Sequence, residues 1–222
     1  MITIPRWAKG FQALSQSFDT GARTIRAFFH YNLDEEHMDL IEHLRIVPDK
    51  AAYRHPLFLP SYLFQHHRKQ VESYRRDVDY SILNIEHSIG YAVPGNLGAA
   101  GRWQSEMLEL SGLETFVRKL HTYKTELGAV SLEATFGKGL GAFLINLEHE
   151  LDATIPQEGT ELWKVSEDMR HIIDFNTNLH STIYNQAEIL KVRADSHINL
   201  VSTPLFVDTS FSGLLICERL LV

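Results

Sequence analysis

The sequence predicts a mainly α protein: a long-helix antiparallel bundle with a small mixed α/β N-terminal segment. Apolar residues recur at steps of three, four and seven through 61–90, 103–153 and 162–201. That spacing gathers side chains on one stripe of a helix. Stretches bearing glycine and proline separate these segments and join them as antiparallel neighbours. The 222 residues are 44% hydrophobic and 22% charged, an ordinary globular balance that can bury a real core. The expected organisation is a mixed segment over 1–54, the bundle over 55–201 and an anomalous C-terminal tail over 202–222. There is no internal repeat and no low-complexity tract.

In the first segment, Thr24 to Leu33 is rich in aromatic and β-branched residues and predicts a strand. Asp34-Glu35-Glu36 predicts the start of a short helix to about Leu44, because Asp caps well and acids suit the positive helix end. His55-Pro-Leu-Phe-Leu-Pro60 follows as a stiff apolar connector, since each proline fixes its own φ and pushes the preceding residue away from helix.

The first long helix is predicted from Ser61, as cap, to Gly90. Leu63, His67, Val71, Tyr74, Val78, Ile82, Ile85 and Ile89 form its stripe, with Arg68, Lys69, Arg75, Arg76, Asp77 and Glu86 mostly elsewhere. Tyr91 to Gly101 is a loop by its proline and glycines. It lacks the G-x-x-x-x-G-K-[ST] and G-x-G-x-x-G patterns of phosphate cradles and follows a helix rather than a strand, so it reads as a plain connector. Met107, Leu110, Leu113, Val117, Leu120, Leu127 and Val130 carry the next helix. A kink or break is expected at Gly137, Gly139 and Gly141, each costing about 1 kcal/mol against alanine. Leu140, Phe143, Leu144, Leu147 and Leu151 then resume the stripe, and Thr154 to Thr160 is a turn.

The last helix, Leu162 to about Val201, is the longest: some 40 residues would measure roughly 60 Å. Val165, Met169, Ile172, Leu179, Ile183 and Leu190 make its seam, which also carries Asn176, Gln186, Arg193 and His197. Such polar residues are costly if buried alone. Two readings stay open for them: they specify helix register or assembly, or the stripe rotates to solvent towards its end.

The formal charge of −7, with no concentrated basic face, argues against a nucleic-acid partner. Cys217 is the only cysteine, so no intramolecular disulfide forms and a reducing compartment is expected. The first fifteen residues lack the apolar core of a secretory signal. No run of about 18 apolar residues exists to span a bilayer.

Twelve histidines invite a metal reading. The cluster His37, His43, His55, His66 and His67 matches no usual zinc spacing, and H-E-x-x-H is absent. His66 and His67 diverge by about 100° on a helix, and His67 reads as a hydrogen-bonded core histidine. Glu148-His149-Glu150 reads as solvated. Glu35-Glu36 and Glu167-Asp168 sit near helix starts, where the dipole accounts for them. No G-x-S-x-G turn is present. The expectation is a non-enzyme with no catalytic or cofactor-binding residue and no assignable metal ligand.

His55-Pro-Leu-Phe-Leu-Pro-Ser-Tyr-Leu-Phe-Gln-His-His67, followed by Ile85-Glu-His-Ser-Ile-Gly90, resembles fungal CorA-like magnesium transporter proteins. Those have an H-P-L-h-h-P-like entry to a long helix that ends near an h-E-x-x-h-G-like turn. Gln186-Ala-Glu-Ile-Leu-Lys-Val-Arg193, then Ser196-His-Ile-Asn-Leu-Val201, resembles their helix leading into the membrane. The resemblance covers roughly 55–201. It implies the cytosolic helical part of a membrane protein, Mg2+ as a regulatory or transported ion, self-association or a full-length homologue as partner, and gating by divalent ions between acidic faces of neighbouring copies. The family's Gly-Met-Asn pore motif and both transmembrane helices are absent. The expectation is a truncated or diverged member that cannot transport alone, is cytoplasmic or soluble as written, and ends in a frame or splicing artefact over 202–222. The rival expectation is a soluble helical-bundle interaction module unrelated to ion transport.

Overall fold

The computed structural model describes residues 2–6, 10–19, 24–30, 55–89, 110–152 and 161–219. Three strands, β1 (Ile2–Arg6), β2 (Gly10–Asp19) and β3 (Thr24–His30), precede three helices, α1 (Phe58–Ser88), α2 (Leu110–Asp152) and α3 (Glu161–Arg219). The protein is mainly α, a long-helix bundle with a small N-terminal antiparallel sheet. The expected helix over 35–44, the loop over 91–101 and the turn over 154–160 lie outside the described residues.

The strands pair in the order β1-β2-β3, with Ile4 opposite Gln12 and Leu14 opposite Phe29. The expected strand at 24–33 is β3. Strands β1 and β2 were not anticipated, because Gly10–Asp19 is rich in Gln and Ser and carries few β-branched residues. Its alternation still gives one inward face: Leu14 is buried and Ser15 and Ser17 are exposed.

The entry to α1 differs from expectation in an informative way. Pro60 lies inside the helix and Ser61 is no cap, since its N–H already donates to the Leu57 carbonyl at 2.9 Å. His55 does the capping. Its Nδ1 accepts the Leu57 N–H at 3.2 Å, and its carbonyl accepts the Phe58 N–H at 3.0 Å. Pro56 stands in the turn that leads into α1, where its missing N–H costs nothing. Pro60 lies in the first turn of the helix, where the N–H groups have no intrahelical acceptor, and is tolerated for the same reason.

Two further expectations are corrected. No break occurs at the glycines: α2 runs unbroken from Leu110 to Asp152. An added Cβ at Gly137 would meet the His180 ring at 2.3 Å, and one at Gly141 would meet Thr177 Oγ1 at 2.0 Å. These glycines permit close helix approach, and the packing so gained outweighs their poor propensity. Nor does Pro204 end α3, which continues to Arg219. A proline removes one hydrogen bond, here to the carbonyl of Leu200, a residue 39% exposed on the helix surface.

The chain groups into two compact units, 1–72 with 132–183 and 73–131 with 184–222. In the first, the sheet and three helix segments enclose a core of Leu14, Leu57, Leu63, Phe64, Leu140, Leu144 and Ile173. There α1 and α2 run antiparallel, since His67 meets Glu133 and Phe64 lies by Gly141. Helices α2 and α3 do likewise, through Gly137 with His180 and Glu148 with Arg170. The second unit repeats the antiparallel α2–α3 arrangement through Ser131 with Glu188 and Lys124 with Asp195.

The buried stripe of α3 is Met169, Ile173, Asn176, His180, Ile183, Ala187, Leu190, Ala194 and Val201. Its steps alternate four and three as far as Ala194 and end with one of seven to Val201, a heptad-like seam. Ile172 (37% exposed) and Gln186 fall outside it. On α2, Phe143 is likewise exposed, while Ala134, Gly137, Gly141 and Leu144 continue the buried line.

Candidate functional site

The polar residues of the seams, not a surface cleft, carry the chemistry of this chain. In the first unit they form a layer around two histidines. His67 on α1 is buried, as expected, and its Nε2 lies 2.9 Å from Glu133 Oε2 on α2. The ring of His180 on α3 is centred 5.2 Å away at 32°. It stacks on Phe64 at 5.3 Å, and the Gly137 backbone forms the opposite wall of its slot. His67 itself meets the Phe136 ring edge-on at 5.5 Å.

Nδ1 of His67 and both ring nitrogens of His180 are buried without a hydrogen-bond partner among the described residues. A neutral imidazole carries one donor and one acceptor, so His180 sits in its slot as an apolar disc. Burial pushes its pKa down to about 3, with the neighbouring His67 and Arg68 adding in the same direction. Beside it, Arg68 Nε donates to Asn176 Oδ1 at 3.0 Å, and Asn176 Nδ2 donates to the Ile172 carbonyl at 2.7 Å. Asn176 is therefore buried and satisfied. Of the two open readings, the one that places it between helices fits.

Glu148, read from the sequence as solvated, is fully buried. Arg170 donates to its Oε1 through Nη2 at 2.5 Å and Nε at 3.1 Å, with Ser166 Oγ at 3.5 Å. The charge is tolerated because Arg170 forks onto it from α3. His149 and Glu150, its sequence neighbours, are exposed.

The second unit carries its own buried carboxylate, Glu86 on α1, also placed off the stripe by the sequence reading. Arg193 embraces it with Nε and Nη2, and His197 Nε2 lies 2.5 Å from Oε1. Arg193 Nη1 also reaches Asp79 at 3.3 Å, as does Arg75. Hydrogen bonding to Glu86 raises the Arg193 pKa, partly opposed by burial. Arg193 and His197 thus join the interior through an ion pair. Gln186 is turned to solvent. A depression of about 220 Å³ in this unit is lined by Asn84, Ser88, Phe116, Lys119 and Tyr123, among others. It brings no carboxylate or histidine together.

His66 bonds to Gln70 on its own helix, and His55 caps α1. His37 and His43 lie outside the described residues. Among the described residues no three His, Cys, Asp or Glu side chains converge to hold a metal ion, so no ligand is assigned. His180, Glu148 and Glu86 are among the buried polar groups that the sequence reading left out of the core, as is Arg75. Each stands three or four residues from a buried apolar neighbour, in heptad phase. No described helix is long and apolar enough to cross a membrane. Comparison of the chain with protein-family models, with curated proteins and with solved structures found no match.

Proposed function

We propose that this chain is the cytosolic helical part of a CorA-like divalent metal ion transporter, and that the stretch described conducts no ion by itself. The observation that supports the reading is α3, an unbroken helix of 59 residues whose first part is packed as the third member of a bundle. A long last helix in a mostly helical cytosolic domain is what the sequence resemblance implies. Conduction would require spanning helices to shield the ion from hydrocarbon.

Mg2+ prefers oxygen ligands and keeps several of its waters, so a regulatory ion would sit among carboxylates of adjoining copies, consistent with the charge of −7. Light scattering of the purified chain with and without millimolar Mg2+ tests this. A magnesium-dependent change in assembly or thermal stability is expected. A monomer indifferent to Mg2+ would overturn it in favour of a helical interaction module. That second reading draws on the exposed Leu132 and Phe143, which share an outer face of α2.

A further inference from the structure

The His67–His180 pair brings three buried ring nitrogens without hydrogen-bond partners together in one layer of the first unit. An unmet polar group in a core is destabilising, and leucine would fill the slot of His180 without that cost. Two imidazoles supply half of a tetrahedral metal shell, and no third His, Cys, Asp or Glu joins them. A proton is the ligand that fits. It would place a charge on a ring held between Phe64 and Gly137 with nothing to accept its N–H groups.

The groups that face His180 decide the sign. From α1 come His67 and Arg68, both of which oppose a proton on His180. From α2 come the neutral Gly137 wall and Glu133, whose carboxylate is engaged with Nε2 of His67. From α3 itself comes Asn176, bound to Arg68. No carboxylate among these is directed at His180. Protonation is therefore opposed while the slot is closed and relieved when the ring swings into water.

We propose that the His67–His180 pair is a proton-operated release built into the helix packing of the first unit: protonating His180 expels its ring and loosens α3 from α1 and α2 there. The neutral ring keeps the slot closed above the pKa of a free histidine, near 6.5. Below it the open form binds a proton that the closed form refuses, so opening grows steadily as pH falls towards about 3. This holds whether or not the chain serves ion transport.

Hydrogen exchange of amides 173–183 in the full chain, corrected for the intrinsic rate at each pH, measures the opening directly. Between pH 7 and pH 5 the open population is expected to rise roughly 25-fold, with His180→Leu and His180→Met removing most of that dependence. A pH-independent opening, or an equal rise in a folded His180→Leu chain, would overturn the proposal. Should both variants fail to fold, the ring 15N shifts of His180 in the wild-type chain decide. A ring neutral at pH 5 in the closed state supports the release, and an ordinary midpoint near 6.5 refutes it.

Discussion

Alanine in place of Gly137 should unsettle the bundle, whereas alanine in place of Gly139, two residues along the same helix, should steady it. A Cβ at 137 lands 2.3 Å from the His180 ring, which is stacked on Phe64 behind it and must give up its slot to make room. Overpacking of this kind costs about 1–3 kcal/mol, and the better helix propensity of alanine returns about 1 kcal/mol. Because the clash is severe, the upper end applies, leaving a net loss of about 2 kcal/mol. At Gly139 a Cβ meets nothing within 4 Å. Only the propensity gain remains there, about 0.5–1 kcal/mol. For a chain of this size each kcal/mol moves the melting temperature by about 2–4 °C. Thermal unfolding followed by far-UV circular dichroism should show Gly137→Ala roughly 4–8 °C below wild type and Gly139→Ala slightly above it. Equal melting temperatures for the two variants would refute the close approach of α2 and α3 at this point.

Two other substitutions probe the ends of α1. Removing the Arg193 partner of Glu86 with Arg193→Met leaves the buried carboxylate to His197 and should cost about 3 kcal/mol in urea unfolding. Adding Glu86→Leu should recover most of that loss, because an apolar pair carries no desolvation penalty; no recovery in the double variant would mean the pair is not the buried unit described. His55→Ala should cost about 1 kcal/mol by exposing the first N–H groups of α1, with His55→Asn recovering part of it. A neutral His55→Ala would show that the Leu57 N–H finds water at no loss.

The helices were legible because apolar spacing is a strong signal over thirty residues or more, and three segments carry it. What the spacing could not supply was phase. On α3 the sequence offers Ile172 and Ile173 side by side, and hydropathy alone does not say which faces inward. The structure chooses Ile173, and with that choice His180 and Ala187 come in and Gln186 goes out. Strand β2 was illegible for a different reason: its inward residues include Gln16, whose amide donates to the Pro56 carbonyl at 2.5 Å and so ties the strand to the cap of α1. Glutamine in that role looks like surface until its acceptor is known.

The buried charges follow one rule, which also explains why they were misread. Glu148 and Glu86 each lie within a seam, and each is met by an arginine from α3 that forks onto it. Neither carboxylate could be recognised as interior from its own helix, because its partner lies 22 residues away in one case and 107 in the other. Apolar seams of similar volume would hold these helices at least as well, but they would hold them nearly as well one heptad out of register. A seam in which Glu148 must meet Arg170, and Glu86 must meet Arg193, tolerates no such slip: displacing α3 by seven residues would strand both carboxylates without their arginines, at about 3–5 kcal/mol each. Seams with ion pairs at defined heights thus set the register that uniform leucines would leave loose. The unpartnered His180, standing between these two ion pairs along α3, is a seam position both of whose ring nitrogens meet no partner, which is why titration there acts on the packing itself.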